Sequence, residues 1–297
     1  MSTLPYLIPG DTVEIITPAS RCVEKKLDLL QELIKSWGLQ CILREDIYGP
    51  DLLCANSDAL RLQHLQEALL RPNTKAVICA RGGYGSMRLI PELIKMKKPS
   101  QPKLFVGMSD ITALHLFFQK HWGWSSVHGS ITYSTESNAT LKSLLFDTKA
   151  RMTFQGEALN AAALTQNKIQ ATVTGGNLCL VQTSVGTVWQ MEARDKIIFL
   201  EEVSERGYRV DRMLEHLRQA GLFEGAKAIV FGDFTKCDEP DGPSLVPAVL
   251  KRFAESCTIP VIRISGIGHG DTNHPLLLGV NADLILGDEI RLESYRG

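Results

Sequence analysis

No two of the seven cysteines, at positions 22, 41, 54, 79, 179, 237 and 257, form a C-x-x-C pair. An odd and scattered set fits neither a disulfide framework nor the paired spacing of a zinc site. A basic surplus is missing too: 32 Lys and Arg stand against 33 Asp and Glu, a formal net charge of −1. Proteins that grip nucleic acid through its phosphates carry a basic excess or stripe, so nucleic acid is not an expected partner. The densest basic runs, 95–98 and 25–26, read as solvated helix ends. The opening MSTLPYLIPGDTVEII lacks a basic stretch followed by an apolar one, so no secretory signal is expected. No apolar run nears the roughly 20 residues that span a bilayer. The chain therefore reads as cytoplasmic, with no membrane partner. Neither G-x-G-x-x-G nor a P-loop occurs, which weakens a nucleotide reading.

What is present is an ordinary globular balance, 44% hydrophobic and 22% charged over 297 residues, enough for one large or two modest domains. The first half alternates strand-like and helix-like segments. Strands are expected at 12–17, 40–43, 76–80, 104–106 and 126–128, with helices at 23–37, 57–70 (N-cap Ser57), 87–96 and 111–120. Repeated β-α units with short connections imply a mostly parallel sheet covered by helices. Residues 141–168 loosen into Ala-, Asn- and Gln-containing segments, and a domain junction is placed there, giving domains of 1–150 and 151–297. The second half is read as mixed α/β, with strands at 169–174, 197–200, 228–232, 261–265, 276–280 and 289–292. Its helices are expected at 178–185, 209–220 and 245–256.

In open α/β sheets the chemistry sits where strands turn into helices. Gly107-Met108-Ser109-Asp110 lies at such a turn, where a serine hydroxyl would be lifted above the sheet edge beside a helix N-terminus. The G-x-S-x-G of a nucleophile elbow is broken here, and an N-cap pair would look the same. A second such turn, Arg81-Gly82-Gly83-Tyr84-Gly85, has three glycines in four positions, which lets backbone approach a ligand and present amides.

A serine needs a base, and the base needs an orienting partner. Of the seven histidines, 64, 115, 121 and 216 fall in helical patterns. His128, at a strand end, remains open. His269, flanked by glycines in Gly266-Ile267-Gly268-His269-Gly270 after a strand, is placed best. His269, Asp271 and His274 match no standard zinc spacing. Glu201 and Glu202 close an apolar strand; a carboxylate there is costly unless paired, and alternation cannot say which one points inward. A Cys-dependent amidotransferase-like chemistry is disfavoured, since Cys79 lies inside a strand.

Together, RGGYG, GMSD, TGGNL at 174–178, FLEEVSERGYRVDRML at 199–214 and GIGHG at 266–270 resemble the LD-carboxypeptidases, the muramoyl-tetrapeptide carboxypeptidases of serine peptidase family S66. The resemblance runs from about residue 10 to 284. It implies a Rossmann-like α/β domain, a C-terminal domain around a small β-barrel-like core, and a homodimer. It also implies a Ser109–Glu201–His269 triad, which selects Glu201 over Glu202, and an oxyanion hole from the amides of Asp110 and Gly83. The implied substrate is a murein tetrapeptide, cleaved between its diamino acid and terminal D-Ala in peptidoglycan recycling, with no cofactor and no metal. Arg81, Gly82, Tyr84, Asn177 and Arg209 are the substrate-binding candidates. His128-Gly129-Ser130-Ile131 departs from the H-G-P-M run common in the family, which bears on peptide preference. Two other readings are a branch that cleaves microcin-type acyl-adenylate conjugates and a non-catalytic wall-fragment-binding protein.

Overall fold

The computed structural model describes residues 4–296. Five short β-branched or aliphatic segments form parallel strands: β1 (Thr12–Ile16), β2 (Gln40–Leu43), β3 (Thr74–Cys79), β4 (Leu104–Gly107) and β5 (Ser126–His128). They alternate with helices α1 (Glu24–Ser36), α2 (Asp58–Leu70), α3 (Ile90–Leu93) and α4 (Thr112–Phe117). Ser57 caps α2, its side chain accepting from the Leu60 amide. Near-continuous burial of β3 and β4 is what a parallel sheet covered on both faces requires.

Helix α5 (Thr135–Phe146) leads to strands β6 (Arg151–Ala158) and β7 (Asn167–Asn177), then helix α6 (Leu178–Thr183). Strand β8 (Lys196–Val203), helix α7 (Gly207–Gln219), strand β9 (Ala228–Thr235), helix α8 (Val246–Glu255) and strand β10 (Val261–Ile264) follow. The chain closes with β11 (Leu276–Leu278), β12 (Asn281–Leu286) and β13 (Arg291–Tyr295). Seven strands close a barrel in the order β10-β6-β13-β12-β7-β8-β9, while the open sheet runs β11-β5-β4-β3-β1-β2. The architecture is mixed α/β: a mostly parallel sheet plus a small barrel.

Several expectations need correcting. The loosened stretch at 141–168 contains the second half of α5, the eight-residue strand β6 and the start of β7. β6 shows a burial pattern with one fully buried position, Phe154, so its apolar signal is thin. The helix expected over 87–96 is a 3-10 turn at Ser86–Leu89 followed by one turn of α3. Pro91 in that turn has no N–H to donate, and this prevents one continuous ladder. The expected helix at 111–120 starts as a 3-10 turn at Ser109–Ile111 and ends in a π turn at Phe118–Trp122. The late segment β11 pairs antiparallel with β5, in the sheet built by the first half of the chain.

One close approach joins sheet and barrel. A Cβ on Gly176 would sit 2.5 Å from Thr112 Oγ1, and one on Gly175 2.0 Å from the Phe199 carbonyl oxygen. Only glycine lets the end of β7 reach α4 at that distance, and there the Asn177 amide donates to Thr112 Oγ1 at 3.0 Å. Because Asn177 stands opposite Glu201 in the β7–β8 register, this contact brings Glu201 to the end of the sheet where Ser109 lies.

Candidate active site

Ser109 follows β4 with φ +63°, one of four non-glycine residues with positive φ among the described residues. A side chain in that region costs on the order of 1 kcal/mol or more. The turn beneath it is held at its base: the Gly107 carbonyl accepts from the Gly129 amide at 3.0 Å and meets His115 Nε2 at 2.8 Å. Asp110 is buried, accepts from the Ser86 amide through Oδ2 at 2.8 Å and takes the Ser86 hydroxyl on its carbonyl.

β3 and β4 are parallel neighbours, so the glycine-rich loop after β3 lies against the serine turn after β4. A Cβ on Gly82 would stand 2.8 Å from Ser109 Cβ and 3.1 Å from the Asp110 amide nitrogen. Ser20 secures the loop by accepting from the Tyr84 amide at 3.0 Å, and the buried Arg61 donates to the Gly85 carbonyl at 3.0 Å.

His269 lies in the loop after β10. Its Nδ1 is 2.6 Å from Glu201 Oε2, and Glu201 is fully buried in β8. Burial by itself lowers the imidazole pKa, but the hydrogen bond and charge of Glu201 outweigh it and raise His269 above its ordinary value. The loop is pinned: the Gly268 amide donates to Asn273 Oδ1, the Gly266 amide to Asp233 Oδ2, and the Asn273 amide to Ser137 Oγ. Neither Asp233 nor Asn273 stood out in the sequence. The cue was present in Asn273, three residues after GIGHG, and in Asp233, at the end of a buried strand.

His128, left open as a base, is fully buried, and its Nε2 faces the other Glu201 oxygen at 4.0 Å. Burial pushes it well below the ordinary imidazole value, helped by the charges of His115 and His269. One carboxylate therefore lies between two imidazoles driven in opposite directions, the fully buried His128 and the partly exposed His269.

Glu202, the rival carboxylate, is also buried. It accepts from Asn177 Nδ2 at 2.9 Å and from the Cys179 and Val203 amides, each at 2.8 Å. Burial pushes its carboxyl up to about 7. Its function is to anchor the start of α6, which Asn177 caps.

Ser109 and His269 line a single cavity of about 460 Å³, together with Lys26, Arg81, Gly82, Gly83, Ser130, Thr132 and Asn273. Three substrate-contact expectations are not brought there. Asn177 is buried in the α6 cap. Arg209 pairs with Glu205 at 2.5 Å and borders a separate depression with Gln182 and His216. The Tyr84 side chain is exposed and outside the cavity lining. Cys79 does border the cavity, but burial raises its thiol well above the usual range, which denies it thiolate character.

Residues 13–129 match the LD-carboxypeptidase N-terminal domain and residues 170–284 the LD-carboxypeptidase C-terminal domain. The chain belongs to the LD-carboxypeptidase family. A carboxypeptidase-named protein of Rickettsia conorii is 38% identical, with 95% of this chain and 90% of that protein covered. The Bacillus subtilis "Probable murein peptide carboxypeptidase" is 31% identical over 92% of this chain and 88% of its own length. Among solved structures, muramoyltetrapeptide carboxypeptidase from Oxalobacter formigenes superposes with a TM-score of 0.82 at 27% identity, covering 96% of this chain and 98% of that one. An MccF-like protein from Bacillus anthracis, at 23% identity, TM-score 0.84 and full coverage of both chains, shares the fold.

Proposed function

We propose that the protein is a serine carboxypeptidase that hydrolyses the bond between the diamino acid and terminal D-Ala of murein tetrapeptides, acting in peptidoglycan recycling in the cytoplasm as a homodimer. The observation that carries the reading is the 2.6 Å Glu201–His269 pair bordering the same cavity as a serine on a strained strand-to-helix turn. Family membership and the murein-peptide names of the relatives support the substrate class. In this reading residues 1–150 carry the nucleophile and 151–297 the glutamate and histidine.

Ser109 Oγ attacks the scissile carbonyl while His269 Nε2 takes its proton. Glu201 keeps the imidazole in the tautomer with the proton on Nδ1 and stabilises the imidazolium. The amides of Asp110 and Gly83 donate to the developing oxyanion, each contributing on the order of 3 kcal/mol. His269 then protonates the leaving D-Ala amine, and water attacks the acyl-enzyme to release the tripeptide. Arg81 and Gly82, at the cavity wall, contact the peptide.

Incubating the protein with a murein tetrapeptide and following the mass tests the reading. Loss of one alanine from the D-Ala peptide, and none from its L-Ala counterpart, is expected. An intact tetrapeptide after prolonged incubation overturns it.

A further inference from the structure

An exopeptidase has to recognise the free carboxylate at the end of its substrate, and a buried or half-buried anion needs a cation to pair with. The cavity at Ser109 has Lys26 and Arg81 in its wall and no aspartate or glutamate. Lys26 is half-buried and makes no ion pair or side-chain hydrogen bond among the described residues. It sits in the first turn of α1, where a cation opposes the helix dipole. Burial lowers its pKa, an effect that the Cys22 thiol opposes and the positive charge of Arg81 reinforces. Arg81 is oriented by donating to the Arg21 carbonyl at 2.9 Å. Two cations that repel each other, one of them half-buried at a helix N-terminus, are unfavourable side by side. An anion between them attracts both and offsets that repulsion. Reading residues 25–26 as a solvated helix end therefore holds for the exposed Lys25 and fails for Lys26.

We propose that Lys26, with Arg81, forms the subsite that binds the C-terminal carboxylate of the substrate, so that Lys26 makes the enzyme an exopeptidase. The inference rests on the carboxypeptidase reading. Murein peptides carry other carboxylates, on the diamino acid and the glutamate. The terminal one is assigned because the subsite shares its cavity with the nucleophile, and in a terminal residue the carboxylate is separated from the scissile nitrogen by a single carbon.

The test separates binding from turnover by using Ser109→Ala as the background. Isothermal titration compares a tetrapeptide ending in free D-Ala, its C-terminal amide, and a tetrapeptide with lysine as its third residue. The free acid is expected to bind Ser109→Ala about 10- to 100-fold tighter than the amide, the range for one charge-assisted contact. Adding Lys26→Ala should cut that preference about 10-fold, leaving the part due to Arg81, and Lys26→Arg should restore most of it. The lysine-containing peptide should retain the full Lys26 dependence, since its terminal carboxylate is unchanged. Equal affinity for acid and amide, or an acid preference undiminished by Lys26→Ala, overturns the subsite. A Lys26 dependence that disappears with the lysine peptide reassigns the cation to the diamino-acid carboxylate and also overturns it. Turnover by the unmodified enzyme is measured separately, so a failure of the hydrolase reading is distinguishable from a failure of this one.

Discussion

Glu201 Oε2 and His269 Nδ1, on residues 68 apart in the chain, stand 2.6 Å from each other, with the carboxylate fully buried and the imidazole one-fifth exposed. A buried carboxylate holding the protonated nitrogen of a ring leaves the opposite nitrogen free to accept a proton at the cavity. The proposed mechanism needs His269 neutral, and Glu201 raises its pKa. The activity in kcat/KM should therefore rise with pH through a limb above the ordinary imidazole value of about 6.5. Glu201→Gln removes the charge that raises the pKa, so the limb should move to lower pH while kcat falls about 10³- to 10⁴-fold. A limb that stays in place in a pH–rate series would separate His269 from the base role.

Ser109 offers two readouts in one position. Ser109→Ala should lower kcat on the order of 10⁶-fold with the fold kept. Ser109→Gly should be equally inactive, yet more stable than the alanine variant by about 1 kcal/mol, because glycine has no penalty at φ +63°. Urea midpoints of the two variants measure the difference.

Gly82→Ala places a methyl 2.8 Å from Ser109 Cβ and 2.9 Å from the Met108 carbonyl oxygen. The serine turn and the glycine loop cannot both keep their positions. A fall in kcat of about 10²-fold is expected, the effect of misplacing one oxyanion donor, together with a loss of about 1–3 kcal/mol of stability from overpacking. Single-turnover kinetics and denaturant titration check the two parts.

The two adjacent glutamates should separate cleanly. Glu202→Ala leaves Asn177 Nδ2 and the Cys179 and Val203 amides without their acceptor, and a loss of about 3 kcal/mol in unfolding free energy is expected. Its effect on the pH position of the activity limb should be small compared with that of Glu201→Gln.

Arg209 is half exposed and paired with Glu205 on the outer surface of α7. Arg209→Ala should change kcat/KM by less than about twofold and stability by less than about 0.5 kcal/mol. A large rise in KM in steady-state assays would return Arg209 to the substrate site.

The parallel β-α series was legible because buried β-branched runs and amphipathic helices leave local signals: the bounds of β2 and β5 match their expected positions residue for residue. β6 was missed although Met152, Phe154, Gly156 and Ala158 alternate with polar residues, because only Phe154 on that face is buried and glycine and alanine add little apolar signal. The 107–110 turn and the glycine loop were visible as punctuation after strands. Their mutual contact was not, since it depends on β3 and β4 being neighbours.

By itself the sequence determined most of the segments that become strands and helices, that residues 107–110 and 81–85 lie at strand ends, and which family pattern the chain carries. The choice between Glu201 and Glu202 was implied there by resemblance alone, because both are buried and neighbouring strand positions differ only in the face they present. Tertiary structure separates the two by setting β8 beside β7 and the loop after β10 near both, so that one carboxylate meets an imidazole and the other a helix start. The same holds for Lys26, whose position on α1 has no meaning until the sheet brings that helix to the cavity. Contacts between residues far apart in the chain are set by packing, which local sequence patterns do not encode.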